Sequence, residues 1–103
     1  MNKTERPLDK RLLEAACTYY EVDEPFFKTK KKDGNTDKRR VLFWLLYHEC
    51  NMDYGVIANR FGYSRVSIWD SVKKIDFTKG IFGNIARDME NIKRLAGHEK
   101  ESK

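Results

Sequence analysis

The sequence predicts an all-α fold, a small helical bundle. Apolar residues recur at helical spacing along most of the 103-residue chain, which contains only two prolines, Pro7 and Pro25. Hydrophobic residues make up 40% of the chain and include 6 Phe, 5 Tyr and 2 Trp, which indicates a packed core rather than disorder. Because the chain is short and has no internal repeat, we expect one domain with a core over residues 8–96 and a frayed tail over 97–103.

The first helix is predicted to begin after Pro7, a residue suited to a first helical turn, and to run to Tyr20. Its apolar positions keep the spacing of a single face: Leu8, Leu12, Ala15, Ala16 and Tyr19. A short turn over residues 22–27 follows and is expected to hold Phe26 and Phe27 against the core.

A second helix is predicted over residues 38–50, with Asp37 as its N-cap. The run Val41–Leu46 is apolar almost all round, which is typical of a helix at the centre of a bundle. Asp53 is expected to cap a short third helix, Tyr54–Phe61.

Two further helices complete the predicted bundle. Ser64 is the expected N-cap of a helix that runs to about Phe77. After a loop over residues 78–80, apolar residues at helical spacing predict a last helix that contains Ile81, Phe82, Ile85, Met89, Ile92 and Leu95.

Gly62 lies between the third and fourth predicted helices, where the chain must turn sharply. A helix that ends in such a turn favours a residue with positive φ, and glycine adopts it without a Cβ clash. Ala58, four residues earlier, is small where the two helices approach each other most closely. The buried faces are expected to consist of Ile57, Phe61, Ile68, Val72 and Ile75. This spacing is typical of a DNA-binding helix-turn-helix, although two helices joined by a glycine turn also occur without DNA.

The helix after Gly62 has an outer face opposite its buried stripe, and this face would enter the major groove of DNA. The candidates for contacts with bases are Arg65, Val66, Ser67 and Asp70. Arginine can pair with guanine through two hydrogen bonds, valine can contact a thymine methyl group, and aspartate can accept from cytosine. Ser64, Lys73 and Lys74 are candidates for phosphate contacts. Each of these side chains could equally be ordinary surface, and Trp69 is expected at the edge of the core.

The excess of positive charge is confined to one segment. Residues 28–40 contain seven lysines or arginines and two aspartates, whereas the rest of the chain carries equal numbers of basic and acidic side chains. A positive patch on a neutral body suits a polyanion such as DNA. The candidates for phosphate or minor-groove contacts are Lys28, Lys30, Lys31, Lys32, Lys38, Arg39 and Arg40. The alternative is a solvated, flexible lysine loop.

Several sequence segments occur in an order that is known from one family. They are ACTYYEV at residues 16–22, the Phe-Phe pair with its basic stretch, the Ile-Ala and Phe-Gly pairs around the turn, and VKKID at residues 72–76. Over residues 12–96 this order resembles the C-terminal DNA-binding domain of the bacterial replication initiator DnaA. The resemblance implies a Trp-repressor-like bundle whose recognition helix enters the major groove and whose basic loop reaches the adjacent minor groove.

The resemblance does not extend to the residues that select the family's target sequence. The family's recognition helix begins Arg-Asp-His-Thr-Thr-Val, whereas this chain has YSRVSI at residues 63–68. The family's Arg-Gln pair at the start of the central helix is Arg39-Arg40 here. We therefore expect DNA binding without assuming the family's origin sequence.

These features predict a sequence-preferring double-stranded DNA-binding protein in replication or transcription control, in the cytoplasm at the nucleoid. No nucleotide is expected because the chain lacks a G-x-x-x-x-G-K-[ST] motif, and no membrane is expected because its longest apolar run, residues 41–47, is too short. The alternative is a protein-interaction module that keeps the fold and binds a replication or transcription protein. RNA is a weaker alternative, since no stacking platform is apparent.

Catalysis, metals and cofactors are not expected. The stretch His48-Glu49-Cys50 lacks the second histidine of an HExxH motif, and no other catalytic set is suggested. Cys17 and Cys50 are predicted to be buried, reduced thiols. A zinc site that combines the two cysteines with His48 and His98 is less favoured because the spacing matches no compact ligand arrangement.

Overall fold

The computed structural model describes residues 7–29 and 35–97. Within these two ranges the chain forms helices and turns without strands, and the predicted all-α bundle is confirmed. The α-helices are α1 (Leu8–Tyr20), α2 (Thr36–Cys50), α3 (Tyr54–Phe61), α4 (Arg65–Thr78) and α5 (Gly83–Leu95). A 3₁₀ turn, Glu24–Lys28, follows α1. None of the described helices has the length and apolar character needed to cross a membrane.

α2 is the central helix, as its nearly all-apolar run predicted. It contacts α1, α3, α4 and α5, while α1 also packs on α5 and α3 packs on α4. All residues of the run Val41–Leu46 are buried except Trp44, which is half-buried. The indole Nε1 of Trp44 donates a hydrogen bond of 2.7 Å to Asp76 Oδ1, and this bond joins α2 to the second half of α4.

Polar contacts join the remaining helices. The hydroxyls of Tyr19 and Tyr20 donate to the two carboxylate oxygens of Asp88 at 2.9 and 3.0 Å, which ties α1 to α5. Arg60 Nη1 lies 2.6 Å from Asp9 Oδ2, which ties α3 to α1. Because α3 and α4 are each anchored to other helices, the turn between them is held on a stable frame.

The helix starts agree with the sequence at some positions and correct it at others. The first helix begins after Pro7, as predicted. α2 begins at Thr36, two residues earlier than predicted, and Asn35 rather than Asp37 occupies its N-cap position. The carboxylate of Asp37 lies in the first turn, 3.6 Å from Arg40 Nη1. Asp53 precedes α3 as predicted, but its side chain makes no capping hydrogen bond.

The last helix is shorter than the apolar spacing predicted. It begins at Gly83, so Ile81 and Phe82 lie in the preceding loop and are 57% and 52% exposed. Their backbone N–H groups both donate to the carbonyl of Thr78, which closes the end of α4 in a turn. The 3₁₀ turn agrees better with expectation, because it buries Phe27 completely and leaves Phe26 half-buried. Except for Gly97, the predicted frayed tail lies outside the described residues.

Candidate nucleic-acid interface

The turn between α3 and α4 consists of Gly62, Tyr63 and Ser64. Gly62 has a φ of 78°, which confirms the predicted left-handed conformation. A Cβ added at this glycine would meet no atom within 4 Å, so backbone conformation and not crowding requires glycine here. The backbone N–H of Tyr63 donates to the carbonyl of Ala58 at 2.9 Å and closes the end of α3.

The facing sides of α3 and α4 are buried as predicted. Each residue of this set is 4% exposed or less: Ile57, Ala58, Phe61, Ile68, Val72 and Ile75. The two helices are therefore packed into one unit, and the orientation of α4 is fixed by its contacts with both α3 and α2.

Ser64 caps α4, as the sequence predicted. Its Oγ accepts a hydrogen bond of 3.1 Å from the backbone N–H of Ser67 and lies 2.9 Å from Ser67 Oγ, to which it donates. The Ser64 side chain therefore closes the first turn of α4. Arg65, Val66 and Ser67, the predicted base-contacting residues of this turn, are all exposed.

The outer face of α4 consists of Val66, Trp69, Asp70, Lys73 and Phe77. These residues lie within an arc of about 100° on a helix of 3.6 residues per turn, opposite the buried stripe. Three of them are large and exposed: Val66 by 72%, Trp69 by 47% and Phe77 by 71%. Phe77 in particular was not recognised from the sequence as a surface residue.

The charged residues on and beside this outer face differ in whether they form ion pairs within the protein. Asp70 Oδ2 lies 3.4 Å from Lys74 Nζ, so these two predicted contact residues neutralise each other. Lys73 is exposed and has no ion pair with any described residue. The side chain of Arg65 runs along the first turn of α3, where its Cδ and Nε lie 3.9 Å from the position that a Cβ on Gly55 would occupy.

Tyr63 connects the turn to the start of the lysine-rich segment. Its hydroxyl donates a hydrogen bond of 2.6 Å to the carbonyl of Thr29, the residue that precedes Lys30. The ring packs edge-on against Phe43 at a centroid distance of 5.2 Å, and burial raises the pKa of the Tyr63 hydroxyl. Thr29, the last described residue before the lysines at positions 30–32, therefore lies beside the turn that precedes α4. The sequence offered one signal for this role, an aromatic residue directly after the turn glycine.

The other basic candidates do not converge on one point. Lys28 Nζ lies 3.9 Å from Glu24, and Arg40 is paired with Asp37. Lys38 Nζ lies 5.6 Å from the ring centroid of Tyr20, which places it beside α1 and not beside α4. Lys30, Lys31 and Lys32 lie outside the described residues.

Arg39 corrects the sequence prediction. We expected a phosphate or minor-groove contact, but the residue is only 5% exposed. Its Nε donates a hydrogen bond of 2.8 Å to the carbonyl of Phe26, and its guanidinium carbon lies 4.6 Å from the Phe26 ring centroid. The same carbonyl also accepts from the backbone N–H of Thr29 at 3.4 Å, so Arg39 adds a shorter second hydrogen bond that ties α2 to the 3₁₀ turn. The Arg39 side chain is therefore buried within the fold, where DNA does not reach it.

The two cysteines are free thiols and are half-buried, not fully buried as predicted. Burial is the main cause that raises the pKa of both, and it raises that of Cys50 to about 11. Protonated thiols are poor nucleophiles and poor metal ligands. In the part of the chain that the structure describes, no group of three or more His, Cys, Asp or Glu side chains is arranged to hold a metal ion. His98 of the less favoured zinc arrangement lies outside that part.

Comparisons with known proteins add no relative: no protein-family model, no curated protein and no solved structure matches the chain.

Proposed function

We propose that the protein binds double-stranded DNA with a preference for sequence, and that α3, the Gly62 turn and α4 act as a helix-turn-helix. The observation that carries the proposal is the hydrogen bond from Tyr63 to Thr29. It holds Thr29, the residue before the lysines at positions 30–32, beside the turn that precedes α4, and this supports a site in which the helix end contacts a groove and the lysines contact phosphates. A small DNA-binding domain needs both kinds of contact, to phosphates for affinity and to bases for sequence preference.

Affinity and sequence choice come from different residues in this proposal. The segment Lys28–Lys32 and Lys73 neutralise phosphates. Lys74 adds a further phosphate contact when DNA displaces Asp70 as its partner. Arg65, Val66 and Ser67 contact base edges in the major groove. The resemblance to the DnaA C-terminal domain supports a role in replication or transcription control at the nucleoid.

Selection from a random duplex library at moderate salt tests the proposal. We expect an enriched motif, and we expect the affinity for that duplex to fall steeply with salt. If about five phosphates are neutralised, the slope of log K against log salt is about −4 to −5. No binding to any duplex at low salt, or a slope near zero, would refute DNA binding.

Replacing both Arg65 and Ser67 with Ala separates sequence choice from affinity. The double variant is expected to lose roughly 1–3 kcal/mol of discrimination between the enriched duplex and an unrelated one. Its affinity for the unrelated duplex should change little, because the phosphate contacts remain. Lys10→Ala, an exposed change on α1, is the matched control and should alter neither quantity.

A second candidate function is protein interaction, in a replication or transcription complex. The observation that favours it is the apolar character of the outer face of α4, because Val66, Trp69 and Phe77 are all exposed there. A pure interaction module would bind no duplex selectively, and the Arg65 and Ser67 double variant would then affect only its protein partner.

A further inference from the structure

The outer face of α4 has the residue spacing of a helix that packs against another helix. Val66, Trp69 and Phe77 follow one another at intervals of three and eight residues, so they form a line along the helix. Together they represent three of the seven large hydrophobic side chains that are exposed in the described part of the chain. No described helix of the same molecule covers this line.

Charged residues flank the apolar line on both sides. Successive residues of a helix are rotated by about 100°, which places Val66 and Phe77 near the middle of the face, Asp70 and Lys74 on one side of these two residues, and Trp69 and Lys73 on the other. Asp70 and Lys74 already lie 3.4 Å apart, and about half of each side chain is exposed. Lys73 lacks an ion pair with any described residue, so it is available to an outside partner.

We propose that the occupant of this face is a second copy of the chain, docked with the two α4 helices antiparallel. A two-fold axis that passes α4 between Ser71 and Val72 places Val66 of one copy opposite Phe77 of the second copy. On one side of the line Asp70 then faces Lys74 of the second copy. On the other side Lys73 faces the indole of Trp69 of the second copy, a cation–π arrangement.

The charges decide between the antiparallel and the parallel arrangement. In a parallel pair the two-fold axis runs along the helices and exchanges the two sides of the line, so Lys74 would face Lys73 of the second copy and Asp70 would face Trp69. Like charges at these positions repel. In the antiparallel pair the two Asp70 and two Lys74 side chains alternate in sign around the contact, which makes the face complementary to itself, as a two-fold interface requires.

The available area predicts weak association. Aromatic side chains of this size bury 150–250 Å² when fully covered, so with Val66 the exposed fractions amount to about 300 Å² of apolar surface per copy. A stable complex buries about 800 Å² per partner. We therefore expect a dissociation constant on the order of 100 μM and a dimer that forms and dissociates readily.

Self-association through this face would compete with DNA binding. This step alone rests on the proposed function. Val66 and Asp70 lie within the paired face, and both are candidates for base contacts. A second copy and a duplex would then compete for α4, and DNA would be bound by the monomer. The association itself does not depend on DNA binding.

Sedimentation equilibrium of the full chain without DNA tests the association from about 10 μM to about 1 mM. The wild type is expected to dimerise, and Phe77→Ser to raise the dissociation constant at least tenfold. Circular dichroism establishes that the variant is folded. A wild type that stays monomeric over this range, or a Phe77→Ser variant that associates as well as the wild type, overturns the proposal.

Charge reversal tests the antiparallel register. Asp70→Lys and Lys74→Asp are each expected to weaken association roughly tenfold, because each places like charges opposite one another at two symmetric positions. The double variant keeps the pair within α4 and restores opposite charges across the interface, so it should return to within about threefold of the wild type. Lys10→Asp on α1 carries the same charge change as Lys74→Asp and should have no effect. A double variant as weak as the single variants refutes this register.

Addition of a duplex from the selection experiment separates the two proposals. At low salt the wild type is expected to shift from dimer to a complex of one chain per site. Dimers that bind the duplex intact contradict the competition. If no duplex binds at all, the proposed function fails while the result obtained without DNA stands.

Discussion

The Tyr63 side chain illustrates how one residue can position a segment that it does not belong to. Its ring is held by Phe43, and its hydroxyl reaches the carbonyl of Thr29, 34 residues away in the chain. Gly62 makes the turn possible, and Tyr63 determines what lies beside it. The link is a hydrogen bond to a backbone carbonyl, so a single oxygen atom can be removed to test it.

Tyr63→Phe keeps the ring and removes the hydroxyl. We expect the free energy of unfolding to fall by about 1 kcal/mol, the typical net value of one such bond. We also expect weaker duplex binding with a shallower salt slope, because the start of the lysine-rich segment is no longer held beside α4. Urea denaturation and binding at three salt concentrations measure the two effects, and base preference should stay unchanged.

Tyr19→Phe is the matched control for this prediction. It removes a hydroxyl that donates to Asp88 at 2.9 Å and joins α1 to α5, away from the turn. A comparable loss of stability without a change in the salt slope is expected. If both variants alter DNA binding to the same extent, Tyr63 contributes only general stability.

At the scale of the element, the glycine within α3 and the glycine that follows it have different requirements. Gly55 lies in the first helical turn, and a Cβ there would be 3.9 Å from Arg65 Cδ, which is ordinary van der Waals contact. Gly62 ends the helix with a φ of 78° in open space. The first position therefore tolerates a side chain, whereas the second is restricted by the backbone alone.

Gly55→Ala and Gly62→Ala are expected to change stability in opposite directions. Alanine at position 55 reduces the freedom of the unfolded chain and favours the helix, which should stabilise the protein by roughly 0.4–1 kcal/mol. Alanine at position 62 is forced into a left-handed conformation, at a cost of about 1–2 kcal/mol. Urea denaturation of both variants measures the difference. A Gly62→Ala variant that is not destabilised would mean that the turn relaxes to another conformation, and a destabilised Gly55→Ala variant would mean that the added methyl group is not accommodated beside Arg65.

The elements themselves were largely predictable because their signals are local. Apolar periodicity gave the helices, and Gly62 with Ser64 gave the turn and the start of α4, since a positive φ and a side-chain cap involve only neighbouring residues. The cap of α2 was misassigned because Asn35 and Asp37, two residue types that cap helices, stand only two positions apart. Ile81 fitted the apolar spacing of the last helix, but its backbone N–H donates to the carbonyl of Thr78, so the residue belongs to the turn that closes α4 and precedes α5.

The candidate site was less predictable because its contacts link residues that are distant in sequence. Arg39 looked like part of a basic run until its partner, the Phe26 carbonyl 13 residues earlier, was known. The pairing of Tyr63 with Thr29 had no sequence signal beyond the aromatic residue itself. Phe77 is exposed because no other described helix packs against it. An apolar residue at helical spacing does not show whether another helix will cover it.

At the scale of the whole molecule, burial raises the pKa of several tyrosine hydroxyls and cysteine thiols. It is the main cause that raises the pKa of Tyr20, Tyr63, Cys17 and Cys50, with Cys50 reaching about 11. For Tyr20 the nearby Asp88 carboxylate adds to the effect. In the folded state all four groups therefore hold their protons to higher pH than in the unfolded chain, and this couples folding to alkaline pH.

The sign of this coupling predicts loss of stability at high pH. Below the unfolded pKa values, about 8.5 for cysteine and about 10 for tyrosine, the groups are protonated in both states and the stability is complete. Above them the unfolded chain loses protons that the folded chain keeps, so the free energy of unfolding falls as pH rises towards the folded pKa values. Urea denaturation at about pH 7, 9 and 10.5 should give the highest value at pH 7, a lower value at pH 9, where the cysteines of the unfolded chain already lose their protons, and the lowest value at pH 10.5. Cys50→Ala and Tyr20→Phe each remove one such group and should make the decline smaller. A free energy of unfolding that is constant or rises over this interval would show that these groups titrate alike in both states.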